Sequence, residues 1–418
     1  MPLSSRQMVG DPAQFYAGLR RQARGKGVVQ VALDGDVPAY LVIGHAACEA
    51  VLKEPSRYTR DLRRWRVLKE GRLPPTWPLA PHVQWMPNML HVDGEEHHRL
   101  RGAFTNSLAK VSARRRQAVT KKAANRLIDN LLEAGHPRLG AGHADLVSQY
   151  ARPLPVLVLS RIFGFPEEDE PQLQEGIKTL LEGGEGALAA HAEITQIIRA
   201  HVERRRFVPR ADIVSWLLEA GLTADEVVWT VWLAFISGIA STTAWLANTA
   251  DLLVRADGTL SHLRSKTQDE AGVMERVLWD HTPVQQVIGR VTTVDVELGG
   301  LAVPEGALLI VSLAGANLDP RFGETEALRR SYTEGNLSHL SWGLGSHECP
   351  AEPLARSTVR GGAEQLLTRL DDLALTYPDQ PTQWSRSIIV RVPDEVVVSY
   401  DPARARERAH TLDLTGDH

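Results

Sequence analysis

The sequence predicts a mainly α protein: one large helical domain with a smaller β region on one side. Three observations carry this expectation. From about Arg99 to Ala256 the apolar residues recur with a helical period, interrupted near Gly135–Gly142 and Phe163–Pro166. Inside that run, Val227 to Ala250 is a stretch of 24 residues without a charge, which reads as a long helix through a core. After Pro283 the pattern changes to short apolar runs bounded by turn residues, which reads as strands.

Taken in order, Val28–Leu33 and Ala39–Val42 are expected as strands around the turn signal Gly35-Asp36, and His45 to Lys53 as a helix. Arg60 to Leu90 contains Pro74, Pro75, Pro78, Pro81 and Pro87, which points to an irregular surface excursion. The arginine runs Arg114–Arg116 and Arg204–Arg206 read as solvated helix faces. Thr223, with Glu226 three residues on, is a capping-box signature that starts the uncharged helix. That helix is long enough to span a bilayer. It nevertheless carries Thr230, Ser237, Ser241, Thr242, Thr243, Asn248 and Thr249, and acidic Asp225, Glu226 and Asp251 flank it, so a core helix fits better. Gln286–Thr292, Val294–Leu298 and Leu308–Leu313 follow as strands, with Gly299-Gly300 and Pro304 as turns. Leu354 to Leu370 is expected as a helix, Val396–Tyr400 as a last strand, and the charged tail from Ala403 as flexible. No repeat or linker divides the chain, so residues 1–418 read as a single domain.

The 418 residues carry 47 basic against 51 acidic side chains, a formal charge of −4. That balance gives no global attraction to nucleic acid or to an anionic membrane surface. Cys48 and Cys349 are the two cysteines and lie far apart, so a disulfide framework is excluded and a reducing cytoplasm is the natural setting. Met1 to Gln14 shows no basic-then-apolar signal pattern.

The strongest chemical signal is Ser341-Trp-Gly-Leu-Gly-Ser-His-Glu-Cys349-Pro-Ala-Glu-Pro-Leu-Ala-Arg356. Gly343 and Gly345 permit a turn that residues with a Cβ resist. A helix starting just after Cys349 would aim backbone N–H groups at the sulfur and stabilise its thiolate. His347 can reach an acidic group on a cofactor lying over the loop. Taken alone, the residues also allow a buried structural cysteine; a zinc site at His347 and Cys349 is weak, because no second cysteine is near.

The pattern Trp342-Gly-x-Gly-x-His-x-Cys349 resembles the haem-binding loop of the cytochrome P450 family, Phe-Gly-x-Gly-x-His/Arg-x-Cys-x-Gly, and Leu354-Ala355-Arg356 matches its usual continuation. Trp342 stands for the customary Phe, and Ala351 for the Gly after Cys. Asp93-Gly-Glu-Glu96-His97-His98-Arg99-Leu-Arg101 resembles the family's Asp-x-x-Glu-His-x-Arg-x-Arg. Arg290 stands where a strand arginine of the family binds a haem propionate. Leu313-Ala-x-Ala316-Asn317-x-Asp319-Pro320 matches the stretch leading to the meander before the cysteine loop. The resemblance runs from about Gln30 to Tyr400. It implies the P450 fold, haem b held by Trp342, Gly343, His347, His97, Arg101 and Arg290, and Cys349 as the ligand to iron.

Two departures stand beside the match. The family's Glu-x-x-Arg ion pair falls on Glu275-Arg276-Val277-Leu278-Trp279 before Pro283, with Arg276 at the Glu position and Trp279 at the Arg position. A buried pair is a weak source of net stability, so an apolar replacement such as Trp279 can be neutral. An actinomycete subgroup of the family, with Glu-x-x-Leu-Trp there, is similar. On the uncharged helix, Ser237-Gly238-Ile239-Ala240-Ser241-Thr242 replaces the family's Ala/Gly-Gly-x-Asp/Glu-Thr. Ala240 cannot relay a proton, while Ser241 or Thr242 can still hydrogen-bond oxygen or position a water, and Gly238 would allow a close approach to the haem. Ordinary back-bonding to the preceding turn is the competing use of those hydroxyls.

The resemblance implies a monooxygenase that oxidises a small-to-medium organic substrate with dioxygen and electrons from a ferredoxin and its reductase. Substrate contacts are expected from Arg60–Leu90, the helix around Leu180–Ala190, and Ile288–Val291. The lost carboxylate predicts leaky oxygen activation or use of peroxide. The alternative is a haem-binding but weakly catalytic or non-catalytic auxiliary protein.

Overall fold

The computed structural model describes residues 8, 10–74, 77, 79–182, 186–255, 270–323, 325, 328–329 and 335–415. The fold is mainly α with a smaller β region, as expected. Where the sequence offers one domain, the structure divides the chain into two compact units, each built from stretches distant in sequence. The first comprises Met1–Gly102, Glu275–Pro350 and Trp384–Arg391. The second comprises Ala103–Met274, Ala351–Gln383 and Val392–His418.

The first unit is organised by a five-stranded sheet in the order Val28–Leu33, Val37–Val42, Leu308–Ser312, Gln286–Thr292, Tyr58–Thr59. The second and third of these strands pair in parallel, and the other neighbours are antiparallel. Every residue of the central strand Leu308–Ser312 is buried. Side chains alternate across a strand, so Leu308 and Ile310 join one apolar cluster with Val31, Trp65 and Trp77, while Leu309 and Val311 join another with Val42, Cys48 and Val51. The sheet is thus covered on both faces. Ser312 ends its strand one residue before the expected limit because its hydroxyl caps the helix Leu313–Asn317, accepting the Gly315 N–H at 2.9 Å.

Arg60–Leu90 corrects the expectation of a surface excursion. Leu62, Trp65, Val67 and Trp77 are buried, and the two indoles pack 5.8 Å apart. The Trp77 Nε1–H donates to the Asp34 carbonyl at 2.8 Å. The prolines interrupt regular structure, but the aromatic side chains carry enough apolar surface to draw the segment into the core. Pro75 and Pro78 lie outside the described residues.

The second unit is built on the helix Ala224–Arg255, whose 32 residues span about 48 Å. Its capping box forms as expected: Thr223 Oγ1 accepts the Glu226 N–H at 3.2 Å, and Glu226 Oε2 accepts the Thr223 N–H at 2.8 Å. Thr223→Ala should lower stability by about 1 kcal/mol in urea unfolding; an unchanged midpoint would show that the box contributes nothing. By length and composition this helix could cross a membrane. It is a core helix instead, packed on Pro153–Phe163, Ala187–Phe207 and Glu352–Arg369. Near its end Asp251 is buried and receives Arg255 Nε at 2.7 Å and Thr382 Oγ1 at 3.0 Å. Gly362 lets Glu352–Arg369 come close: a Cβ there would lie 2.7 Å from Leu154 Cδ2.

One further expectation is corrected in this unit. Arg205, read as part of a solvated face, is buried and donates to Asp212 at 2.6 Å and to the Gly164 carbonyl, while Arg206 of the same run stays exposed and pairs with Glu203. The segment from Ala403 lies in the helix Pro402–Thr415, with Ala405 buried and Arg404 and Arg408 on Asp371.

Candidate active site

All the residues proposed to cradle a cofactor fall in the first unit, and the fold brings them together. The cysteine segment begins at a turn closed by the Gly343 N–H on the Leu340 carbonyl at 2.8 Å. Gly343 and Gly345 have φ of 73° and 75°, where L side chains are strained. A Cβ on Gly345 would also meet the Leu52 carbonyl oxygen at 2.6 Å. The Cys349 N–H donates to the Trp342 carbonyl at 2.8 Å, which folds the loop back on itself. Neither cysteine is in a disulfide, and Cys349 is half-buried. The following helix starts at Glu352.

His97 and Arg101 lie one turn apart on the helix Gly94–Ala109. His97 is buried with its ring 4.2 Å from that of His347, although 250 residues separate them in sequence. Arg101 lies within electrostatic reach of Cys349 and Glu348; burial depresses its pKa, and those two groups oppose the shift. Arg290 comes from the strand Gln286–Thr292, where the register slips between Ile288 and Arg290 and Gly289 takes φ 102°. Such a bulge re-aims the side chain that follows it. Arg290 is 1% exposed and donates through Nη1 to the Tyr58 carbonyl at 2.9 Å.

The His347 Nε2–H donates to a protein carboxylate, Asp93, at 2.9 Å. Asp93 also accepts Thr59 Oγ1 at 2.5 Å and the Arg60 N–H at 2.8 Å. Burial works to raise the Asp93 pKa, but these donors outweigh it and hold the carboxyl at about 2. Burial pushes His347 down to about 3, against the pull of Asp93. The pair is therefore an ionised carboxylate receiving a bond from a neutral imidazole.

Arg60 was not singled out in the sequence and is the main addition. It is 3% exposed, with Nε on the Leu90 carbonyl at 3.1 Å and Nη1 on the Ile288 carbonyl at 3.0 Å. Burial and the like charge of Arg290 hold its pKa at about 9, and burial holds Arg290 at about 10. Two buried guanidiniums thus share one carboxylate, Asp93. The His97 Nε2 and Arg290 Nε atoms are buried without a hydrogen-bond partner among the described residues. Buried polar groups are normally paired, and buried charges compensated. Excess positive charge with unpaired donors beside a cysteine fits a ligand that carries carboxylates and a thiolate-binding metal. Among the described residues, no group of three or more His, Cys, Asp or Glu side chains could hold a metal ion by itself.

The remaining candidates, Gly238, Ala240, Ser241 and Thr242, lie on the long helix of the second unit, which is continuous through this stretch. Ser237 Oγ donates to the Leu233 carbonyl at 2.5 Å and Ser241 Oγ to the Ser237 carbonyl at 2.7 Å. The Ser241 hydroxyl proton is thereby committed to its own helix. Gly238 faces Leu159, whose Cδ1 would lie 3.3 Å from an added Cβ, so helix packing also accounts for this glycine. Ala240 carries no polar atom, and Thr242 is buried. Of the segments expected to meet substrate, the one around Leu180–Ala190 forms the end of Glu170–Glu182 and the start of Ala187–Phe207, with residues 183–185 outside the description.

In the segment Glu275–Trp279, Trp279 is fully buried, its Nε1–H on the Asn336 carbonyl at 2.7 Å and its ring edge-on to Phe322 and His339. Glu275 meets His339 Nε2 at 3.1 Å. Arg276 lies beside Asp280 at 3.7 Å.

No family model matches the chain. Cytochrome P450-SU2 of Streptomyces griseolus is 30% identical to it over 89% of this chain and 90% of that protein. Nocardicin C N-oxygenase of Nocardia uniformis is 29% identical over 94% of this chain and 97% of its own. Among solved structures, CYP154C4 from Streptomyces sp. W2061 is similar with a TM-score of 0.84 and 27% identity, covering 95% of this chain and 97% of that one.

Proposed function

The chain belongs to the cytochrome P450 family, and from that premise we propose that it is a haem-thiolate monooxygenase of small-to-medium organic substrates with weakened control of proton delivery. The observation that carries the haem site is the pair of buried guanidiniums Arg60 and Arg290, with the buried His97 ring against the cysteine loop, where Arg290 Nε and His97 Nε2 have no hydrogen-bond partner among the described residues. Arg290, His97 and Arg101 are the residues that would take the two propionates, and Cys349 the residue that would take iron. Trp342, Gly343 and His347 shape the loop around them, His347 through Asp93. Bound haem b supplies dioxygen activation at its iron, to which a thiolate ligand donates electrons.

The protein's own contribution on the long helix is smaller than the family pattern. Ala240 holds no proton, and Ser241 gives its own to the Ser237 carbonyl at 2.7 Å, so Ser241 offers lone pairs and no free donor. Protons must then arrive by water. That observation also favours a second reading, in which the haem protein is weakly catalytic, uses peroxide, or serves as an auxiliary to another P450. Electrons would come from a ferredoxin and its reductase in the cytoplasm. A medium-sized, mainly apolar substrate fits the apolar segments Arg60–Leu90 and Ile288–Val291.

The test is a balance sheet of turnover: reductant consumed, product formed and hydrogen peroxide released, with a surrogate ferredoxin and a panel of organic substrates. Wild type should form product but release most of its reducing equivalents as peroxide. Ala240→Glu should raise the product share several-fold by restoring an acid. Reductant consumption with peroxide as the sole outcome, in both proteins and with every substrate, favours the auxiliary reading.

A further inference from the structure

Asn317, in the stretch before the meander, is 0% exposed and has all its polar atoms engaged. Its Oδ1 accepts the Leu340 N–H at 2.8 Å. Its Nδ2 lies 3.1 Å from Thr282 Oγ1, 2.9 Å from Ser341 Oγ and 3.1 Å from the Leu278 carbonyl oxygen. Three acceptors compete for two N–H bonds, and the rest of the network decides between them. Thr282 Oγ1 donates to the Leu278 carbonyl at 3.0 Å and Ser341 Oγ donates to the same oxygen at 2.6 Å. That carbonyl, in the last turn of Glu270–Asp280, has no partner within its helix and takes both hydroxyl protons. Each hydroxyl then presents lone pairs, and the two Asn317 N–H groups fill them. The amide orientation follows too, because the Leu340 N–H can only donate.

We propose that Asn317 is the positioning residue that sets Cys349 for its ligand; the proposal rests on the haem-thiolate reading above. The path is short. Asn317 fixes Leu340 and Ser341, the Leu340 carbonyl accepts the Gly343 N–H at 2.8 Å, and the carbonyl of the next residue after Ser341, Trp342, accepts the Cys349 N–H at 2.8 Å. No bond in this path comes from a metal or a cofactor. The loop is held ready before anything binds, which lowers the ordering cost of ligation. Asn317 therefore acts on Cys349 without touching it.

Asn317→Asp keeps the size and the acceptor for Leu340 but removes both donors, leaving a carboxylate against two hydroxyl oxygens. Ser341→Ala removes one arm at a half-buried position. Two readings are taken on the full-length protein as purified: amide hydrogen exchange at Leu340, Gly343 and Cys349, and the rate at which the reduced, carbon monoxide-bound protein loses its thiolate Soret band on mild warming. We expect Asn317→Asp to accelerate both by about tenfold or more, the effect of one or two lost buried hydrogen bonds, and Ser341→Ala to act in the same direction by less. If Asn317→Asp yields no folded protein, Ser341→Ala decides by the same readings. Wild-type exchange at Gly343 and Cys349 together with a wild-type rate of band loss overturns the proposal, even if the global unfolding midpoint falls. A wild-type protein without a thiolate band instead brings down the haem-thiolate reading, and exchange at the three amides still decides whether Asn317 orders the loop.

Discussion

Cys349→Ala should abolish the strongly red-shifted Soret band that reduced, carbon monoxide-bound wild-type protein is expected to show, and product formation should disappear with it. The reason is that nothing else in the chain can supply the thiolate. Cys48 lies fully buried in the cluster of Val42, Val51 and Leu309, its Sγ–H turned to the Val42 carbonyl at 3.4 Å. Burial pushes its pKa far up, so it stays a neutral thiol at any working pH. Cys349 differs on each count: it is half-buried, sits in a loop preformed by Gly343 and Gly345, and lies within reach of the Arg101 charge. Haem should still bind the variant in part, because Arg290, Arg101 and His97 are untouched. The spectrum is therefore the sensitive measurement and haem content the insensitive one. A band unchanged by the substitution, or a wild-type protein that takes up no haem, would leave a P450-shaped partner protein as the better account.

Much of the fold was legible because it is written in local patterns. The capping box at Thr223, the long uncharged helix and the strand Gln286–Thr292 each follow from residues adjacent in sequence. Strand ends were less so: Val37–Val42 begins two residues before the expected Ala39, since Leu308–Ser312 pairs with it only from Tyr40 on and leaves Pro38 at a local sheet edge. The cradle was half legible. Motifs singled out Cys349, His97, Arg101, Arg290 and His347, but the bond from His347 to Asp93 left no such signal, because 254 residues separate the two. Asp93 stood at the head of a recognised motif and went unused. Arg60 carried no signal at all, since its burial depends on the carbonyls of Leu90 and Ile288, which only the folded chain brings together. The Arg205–Asp212 pair shows the same limit: one arginine of a charged run turns inward because a carboxylate and the Gly164 carbonyl await it.

Stability should fall steeply as pH drops below 6.5. Three histidines are held neutral by burial: His91, His201 and His281 each titrate at about 4 in the folded protein against a usual 6.5. Desolvation is the leading cause in all three, and neighbouring arginines add to it: Arg60 for His91, Arg205 for His201 and Arg391 for His281. A backbone bond at His201 opposes the shift without cancelling it: its Nε2 lies 3.1 Å from the Phe163 carbonyl. Between pH 6.5 and about 4 the unfolded chain therefore takes up protons that the folded chain refuses. Unfolding gains from that uptake, so the stability these groups contribute is complete above 6.5 and is lost as pH falls towards 4. Each proton is worth about 1.4 kcal/mol per pH unit, so the three together approach about 4 kcal/mol per unit at the steepest point. Against a total of about 5–15 kcal/mol for a folded domain, that slope is enough to unfold the protein in mild acid. Urea midpoints at pH 7, 6 and 5 measure it directly. His201→Gln, which removes one titrating group, should lower the slope by about one proton; a midpoint that stays flat from pH 7 to 5 would mean that these imidazoles are already protonated or hydrated in the folded state.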